Sequence, residues 1–275
     1  MKETRQSKIL ELLDQQTLVT VVELSALFGV SEMTIRRDLL VLEDDGLARR
    51  VHGGATRAIG RAFEPSFRMR QASASASKRE IARAAAALIV DGDAIGLDVG
   101  STILEMVPEF VHVDNLTVVT ASLRVANKVA ELHALERSLR LMLTGGITRA
   151  GELSMVGQKA VDFYRGLRLD KAFISIGGIS LESGGTEFNV DDADVKRAMI
   201  ESTRDVILLA DSSKFTQTGF AHVVDLAQIS RIITDSNIDP VVLAEIRAAG
   251  VPVDVVSVPV SHTQSHENGD SITEI

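Results

Sequence analysis

The sequence predicts an α/β protein in two unequal parts, a small helical one followed by a larger, mostly parallel sheet. Three observations carry this. Residues 20–46 read as two short helices joined by a glycine-containing turn, with a capping signal ahead of each. Residues 94–258 alternate apolar runs of strand length with amphipathic helical runs, the βαβ pattern. The stretch between them, 57–78, is poor in periodic apolar residues and ends in alternating Ala and Ser, as a linker does.

The bulk composition sets bounds. With 275 residues, 45% of them hydrophobic, the chain can bury one substantial core and a small second one. It has no cysteine, which excludes disulfides and Cys-based zinc sites and fits a reducing compartment. The first ten residues do not resemble a signal peptide, and the longest small-apolar run, 84–90, is far too short to span a bilayer. A cytoplasmic protein with no membrane partner is expected. The net charge of −9 argues at first against nucleic acid. Residues 1–57, however, hold eight Lys/Arg and nine Asp/Glu, so the acidity lies almost wholly in the larger part.

In the small part, Ile9, Leu12 and Leu13 mark one face of a first helix. Thr20 and Glu23 form a capping box, and the helix they open is stopped by Gly29. Only Val30 then precedes Ser31, an N-cap for a third helix, "SEMTIRRDLLVLEDDG". This is a helix-turn-helix. Ile35, Leu39 and Leu42 must face the core, which leaves Arg36 and Arg37 outward beside Thr34. Arginines there can meet guanine edges or phosphates, and Ser31 and Thr34 can donate to phosphates. After Gly46 comes "LARRVHGGA", a short strand with Arg49 and Arg50 that runs into His52 and a glycine pair, as a wing would. For two arginines alone, a merely solvated helix face with Arg36, Arg37 and Asp38 in water would be the better reading.

In the large part, Ser77 and Glu80 read as a capping box opening a helix with Ile81, Ala82, Ala85, Leu88 and Ile89 inward, and 91–93 make a turn. Strands are expected near 94–98, 116–120, 139–144, 171–176, 206–210, 231–234 and 251–258. Parallel sheets bind ligands at the carboxyl ends of their strands. Those ends share one chemistry: Asp98, Gly100, Ser101 and Thr102; Thr120 and Ser122; Gly145 and Gly146; Gly177 and Gly178; and Asp211 to Lys214. Glycines admit a ligand close to the backbone, hydroxyls and amides hold oxyanions, and Lys214 offers a point charge. A polar, anion-tolerant pocket is expected. No G-x-G-x-x-G, G-x-x-x-x-G-K-[ST] or G-x-S-x-G is present, so no nucleotide cofactor or nucleophile elbow is indicated.

Taken together, Arg5, Ile9 and Leu13, "SEMTIRRDL" at 31–39 and "RRVHGGA" at 49–55 closely resemble the DNA-binding domain of DeoR-family transcriptional regulators. "KREIARAAAALIVDGDAIGLDVGST", "LTVVTAS", "LTGG", "GGTEFNVDDADVKRAMIES", "VILLADSSKF" and "IITD" resemble the effector domain of that family, which is related to ribose-5-phosphate isomerases and amino-sugar-phosphate deaminases. The resemblance implies a winged helix-turn-helix over 1–57, a linker over 58–77, an effector-binding α/β domain over 78–258 and a polar tail over 259–275. It implies a repressor, with double-stranded operator DNA and a phosphorylated sugar or polyol as partners, and a homodimer or larger homo-oligomer. One departure is Ala121, where the family often has asparagine; an amide donor and acceptor are missing there.

The other reading is a sugar-phosphate isomerase or deaminase with an autoregulatory DNA-binding part. It needs a general base beside the reacting carbon. Asp98, Asp211 and Glu187 are the carboxylates near strand ends, and the first two sit where they would fix loops. Asp191, Asp192 and Asp194 occupy the first turn of a helix, where acidic side chains favour the dipole, and Asp192 is spaced to pair with Lys196. His262 and His266 stand at i and i+4 in the polar tail and read as solvated, not as metal ligands. No catalytic residue, metal or cofactor is assigned.

Overall fold

The computed structural model describes residues 2–16, 18–44, 47–57, 61–133 and 138–258. The small part comprises α1 (Lys2–Gln15), β1 (Val19–Thr20), α2 (Val21–Phe28), α3 (Glu32–Asp44), β2 (Ala48–Val51) and β3 (Gly54–Arg57). Its core is the set the helical spacing picks out: Ile9, Leu13, Leu24, Ile35, Leu39 and Leu42 are all buried. Each such side chain contributes about 1.5–3 kcal/mol by leaving water. The Thr20–Glu23 capping box closes in both directions, with Glu23 N–H on Thr20 Oγ1 (3.2 Å) and Thr20 N–H on Glu23 (2.9 Å). Gly29 ends α2 at φ 62°, a left-handed turn that a Cβ would strain, and so sends the chain straight into α3.

Two features of this part add detail to the expected wing and third helix. The wing is a hairpin, β2 antiparallel to β3 with His52 and Gly53 at its turn, and the two-residue β1 adds a third strand beside β3. Asp38 is not solvated: it is buried, and accepts from Arg5 Nε (2.6 Å) and Gln6 (3.3 Å) on α1. A pair 33 residues apart in sequence leaves no local pattern, yet it fixes α3 against α1. Gly46 and the tail with His262 and His266 lie outside the described residues.

The large part continues with α4 (Phe67–Ala72), α5 (Ser75–Ala86), β4 (Ala94–Leu97), α6 (Ser101–Met106), β5 (Thr117–Thr120), α7 (Leu123–His133), β6 (Arg140–Leu143), β7 (Ile147–Arg149), β8 (Ser154–Val156) and α8 (Gln158–Arg165). It ends with β9 (Leu169–Ser175), β10 (Gly178–Ser180), β11 (Gly184–Glu187), α9 (Val190–Glu201), β12 (Thr203–Leu209), β13 (Ala221–Val224), β14 (Arg231–Asp235), α10 (Pro240–Ala248) and β15 (Val253–Val256). Seven strands, one at each expected run, form a single parallel sheet ordered β15-β14-β12-β9-β4-β5-β6.

Both faces of that sheet are covered, which is why its strands read as continuous apolar runs. Along β9 and β12, Ala172, Ile174, Val206 and Leu208 face the core shared with α8 and α9. The alternate residues Phe173, Ile207 and Leu209 face the core shared with α5, α6 and α7. The chain order of the strands reverses between β4 and β9, so the crevice beyond their carboxyl ends is a topological switch point, where open α/β sheets hold ligands.

Three elements were not expected. A small antiparallel sheet, β10-β11-β13, and the β7–β8 hairpin stand beside the main sheet. The segment read as linker contains α4, whose Phe67 is buried with the Arg124 guanidinium 4.2 Å over its ring. Helix α5 begins at Ser75, not at a Ser77 cap, because Ala74 in the left-handed region (φ 50°) turns the chain out of α4 two residues earlier.

Candidate functional site

A small cleft, open to solvent, lies at the switch point. Its floor comes from the ends of three adjacent strands: Gly100, Ser101 and Thr102 after β4, Ser175 and Ile176 after β9, and Leu209, Asp211 and Lys214 around the end of β12. The close approach of β4 and β9 here requires a glycine, since a Cβ on Gly100 would stand 2.2 Å from Ser175 Oγ. Asp98 lies one layer beneath and locks the crossing by accepting from Ser175 N–H (2.9 Å) and Ser175 Oγ (2.8 Å). Asp211 likewise fixes its loop, accepting from Ser213 N–H at 3.2 Å.

Below the cleft, and reaching its lining at Glu187, runs a buried ionic chain. Lys196 on α9 places its ammonium 3.0 Å from Asp98 and 2.5 Å from Glu187, and donates to Ser175 O (2.7 Å). Burial alone would discharge Lys196, but Asp98 and Glu187 outweigh it and hold its pKa well above the ordinary lysine value. Burial pushes Asp98 up against the pull of Lys196, whereas for Glu187 the Lys196 ammonium and its hydrogen bond outweigh burial and hold it below the carboxylate range. Asp192 is not part of this chain. The expected Asp192–Lys196 pair is absent because Asp192 is taken by Arg149 of β7.

The rim of the cleft is cationic. Lys78 on α5 is buried, with its Nζ on the Ser73 carbonyl (2.7 Å) and the Arg70 carbonyl and no carboxylate at ion-pair distance among the described residues. Burial pulls its pKa down to about 8. The Lys214 ammonium makes no hydrogen bond or ion pair among the described residues, and burial lowers it too. Arg70 of α4 pairs with Glu64 (3.3 Å) and Glu152, while its buried Nε–H has no partner among the described residues.

Of the residues chosen from sequence, Gly100, Ser101, Thr102 and Lys214 line the cleft, with Asp98 directly under it. Thr120, Ser122, Gly145, Gly146, Gly177 and Gly178 are not among its lining residues, so the fold brings only part of the strand-end set to this cleft. The Thr120 and Ser122 hydroxyls are spent locally, on Leu97 O (2.7 Å) and Val125 N–H (3.2 Å). Gly145 and Gly146 turn the chain out of β6, and Gly177 and Gly178 pack under Phe188 and the Gln217 carbonyl. The sequence reading missed Arg70, Lys78 and Ser175. Lys78 carried a signal, because it shares the inward face of α5 with Ile81, Ala82 and Ala85.

Arg70 also belongs to a cluster that ties the interdomain segment to the large domain. Arg149 bridges Glu64 (2.8 Å) and Asp192, and Arg70 bridges Glu64 and Glu152. Arg70 O accepts from Ser101 Oγ (3.3 Å) in the cleft. The segment leading from the small domain is therefore part of the cleft wall.

On the small domain, Arg36 and Arg37 are exposed on α3 as expected, with Arg36 held by Glu32 one turn back (2.7 Å). Ser31 caps Thr34 N–H (3.2 Å) and shares a hydroxyl hydrogen bond with Thr34 (2.9 Å). On the wing, Arg49, Arg50 and His52 are all exposed, and Arg50 is paired with Glu43. Among the described residues no helix is long and apolar enough to cross a membrane.

Residues 5–59 match the model of the DeoR-like helix-turn-helix domain, and residues 73–236 that of the DeoR C terminal sensor domain. The putative aga operon transcriptional repressor of Escherichia coli O157:H7 is 35% identical over 254 residues, 92% of this chain and 93% of the relative. The glycerol-3-phosphate regulon repressor of Escherichia coli (strain K12) is 33% identical over 237 residues, 86% and 92% respectively. The regulator GolR of Listeria innocua is 32% identical over 251 residues, 91% and 97%. Among solved structures, ribose 5-phosphate isomerase A from Methanocaldococcus jannaschii aligns over 50% of this chain and 53% of its own, at TM-score 0.36 and 16% identity.

Proposed function

This chain belongs to the DeoR family of transcriptional regulators, and from that premise we propose that a phosphorylated sugar or polyol, bound in the switch-point cleft, releases it from operator DNA. It is a regulator of the repressor type and not an enzyme. The observation that carries the effector reading is the cationic rim: among the described residues neither Lys78 nor Lys214 has a carboxylate at ion-pair distance, and the buried Arg70 Nε–H has no hydrogen-bond partner. Burying such groups is costly unless an anion completes them. A phosphate ester does so at once, with Ser101 and Thr102 left to hold sugar hydroxyls. One relative points the same way, since it is named a glycerol-3-phosphate regulon repressor.

In this reading Ser31, Thr34, Arg36, Arg37, Arg49, Arg50 and His52 face DNA, and two copies in a homodimer or larger assembly meet repeated half-sites in the cytoplasm. The Glu64–Arg70–Glu152–Arg149 cluster carries the signal. An anion that draws Arg70 toward the cleft competes with Glu64 and Glu152 for the same guanidinium, which loosens the segment that sets the DNA-binding domains. The effector must then bind the DNA-incompetent state more tightly.

A thermal-shift series on the full chain tests the effector claim. At least one phosphorylated sugar or polyol should raise the melting temperature while its unphosphorylated counterpart does not, because a ligand of the folded state stabilises it by about 2.7 kcal/mol at a hundred times Kd. Below pH about 8 Lys78 is already charged in the free protein, so binding takes up no proton. Above that it is neutral in the free protein and must be recharged, so affinity should fall by up to about tenfold per pH unit. Stabilisation by neutral sugars alone, or an affinity unchanged from pH 7 to pH 9.5, would remove the anion from the cleft.

A further inference from the structure

The outward face of α3 is not uniformly polar. Met33, Arg36, Arg37 and Leu40 follow at i, i+3, i+4 and i+7, opposite the buried Ile35, Leu39 and Leu42. Met33 sits in the first turn and is 70% exposed, among the most exposed large apolar side chains in the described residues. Its neighbours in that turn are engaged with one another: Ser31 with Thr34, and Glu32 with Arg36. Among the described residues Met33 is not part of the small domain's core.

A helix of this kind enters the major groove by its N-terminal turns. There the thymine C5-methyl is the one apolar feature of a base edge, and apolar side chains read it by contact. An unbranched, polarizable thioether adapts to that contact. We propose that Met33 is a specificity-determining residue that reads a thymine methyl in each operator half-site, with Arg36 and Arg37 taking the flanking bases or phosphates. This rests on α3 as the DNA-facing helix.

The test uses the full chain and a duplex selected by it from a randomised library. Each thymine of that duplex is then replaced in turn by deoxyuridine, which deletes only the methyl group. One thymine per half-site should lose roughly three- to tenfold in wild-type affinity on replacement. Met33→Ala should lose the same factor on the unmodified duplex and show no further loss with deoxyuridine there. Since Met33 is exposed, an unchanged thermal melt will separate this from misfolding. If Met33→Ala binds the selected duplex like the wild type, or if each deoxyuridine acts equally on both proteins, the assignment is wrong. Arg37→Ala separates the two levels: should it too bind normally, α3 is not the DNA-facing helix at all.

Discussion

Lys196→Met should lower the stability of the large domain by about 3–5 kcal/mol at neutral pH, the usual cost of leaving buried charge unpaired. Lys196 is the only cation at ion-pair distance from Asp98 and Glu187 among the described residues, and all three side chains are buried. Methionine keeps the length of the stem but strands two carboxylates and the Ser175 carbonyl. Urea unfolding followed by circular dichroism would show the loss as a lower midpoint. The pH dependence has a definite sign. Glu187 is held below its ordinary pKa in the native protein, so the stability it contributes is present above the unfolded-state value and is lost as the pH falls through the folded one. The gap between variant and wild type should therefore narrow on acidification. A loss under about 1 kcal/mol at pH 7 would mean that the pair is not buried as described.

The second large effect concerns response rather than stability. Lys214→Met combined with Ser101→Ala should leave operator binding intact and weaken the effector response by about a hundredfold, the scale of losing a charge-assisted hydrogen bond and a neutral one. Lys214 makes no ion pair among the described residues, and burial already penalises its charge, so the substitution should not unfold the domain. Ser101 gives up one long hydrogen bond to the Arg70 carbonyl (3.3 Å). Effector titrations of an operator complex would read the shift. Release at wild-type concentrations would place the ligand outside the cleft.

The architecture was legible where burial writes a period. Every strand of the parallel sheet is an apolar run, and helix α3 shows its core face through Ile35, Leu39 and Leu42. The β10-β11-β13 sheet was not legible, because strands such as Gly178–Ser180 and Gly184–Glu187 carry glycine and serine where a pattern would be. Their glycines read as ligand loops for the same reason. The cleft was half visible. Gly100, Ser101, Thr102 and Lys214 follow from strand ends, but Arg70 comes from a six-residue helix inside a segment with no apolar period. The pairs Arg5–Asp38 and Arg149–Asp192 join residues far apart in sequence, and only the fold reveals them.

That the cleft reports a phosphorylated metabolite to the DNA-binding domain is tested most directly by fluorescence anisotropy of the full chain on its selected operator. The competitors are the phosphorylated sugar that stabilises it best and the same sugar without the phosphate. Release by the phosphorylated sugar alone is expected, and by reciprocity saturating operator should weaken that ligand's binding by the factor with which the ligand weakens the operator's. An operator complex indifferent to a sugar phosphate that demonstrably stabilises the protein would mean that the cleft is not coupled to DNA.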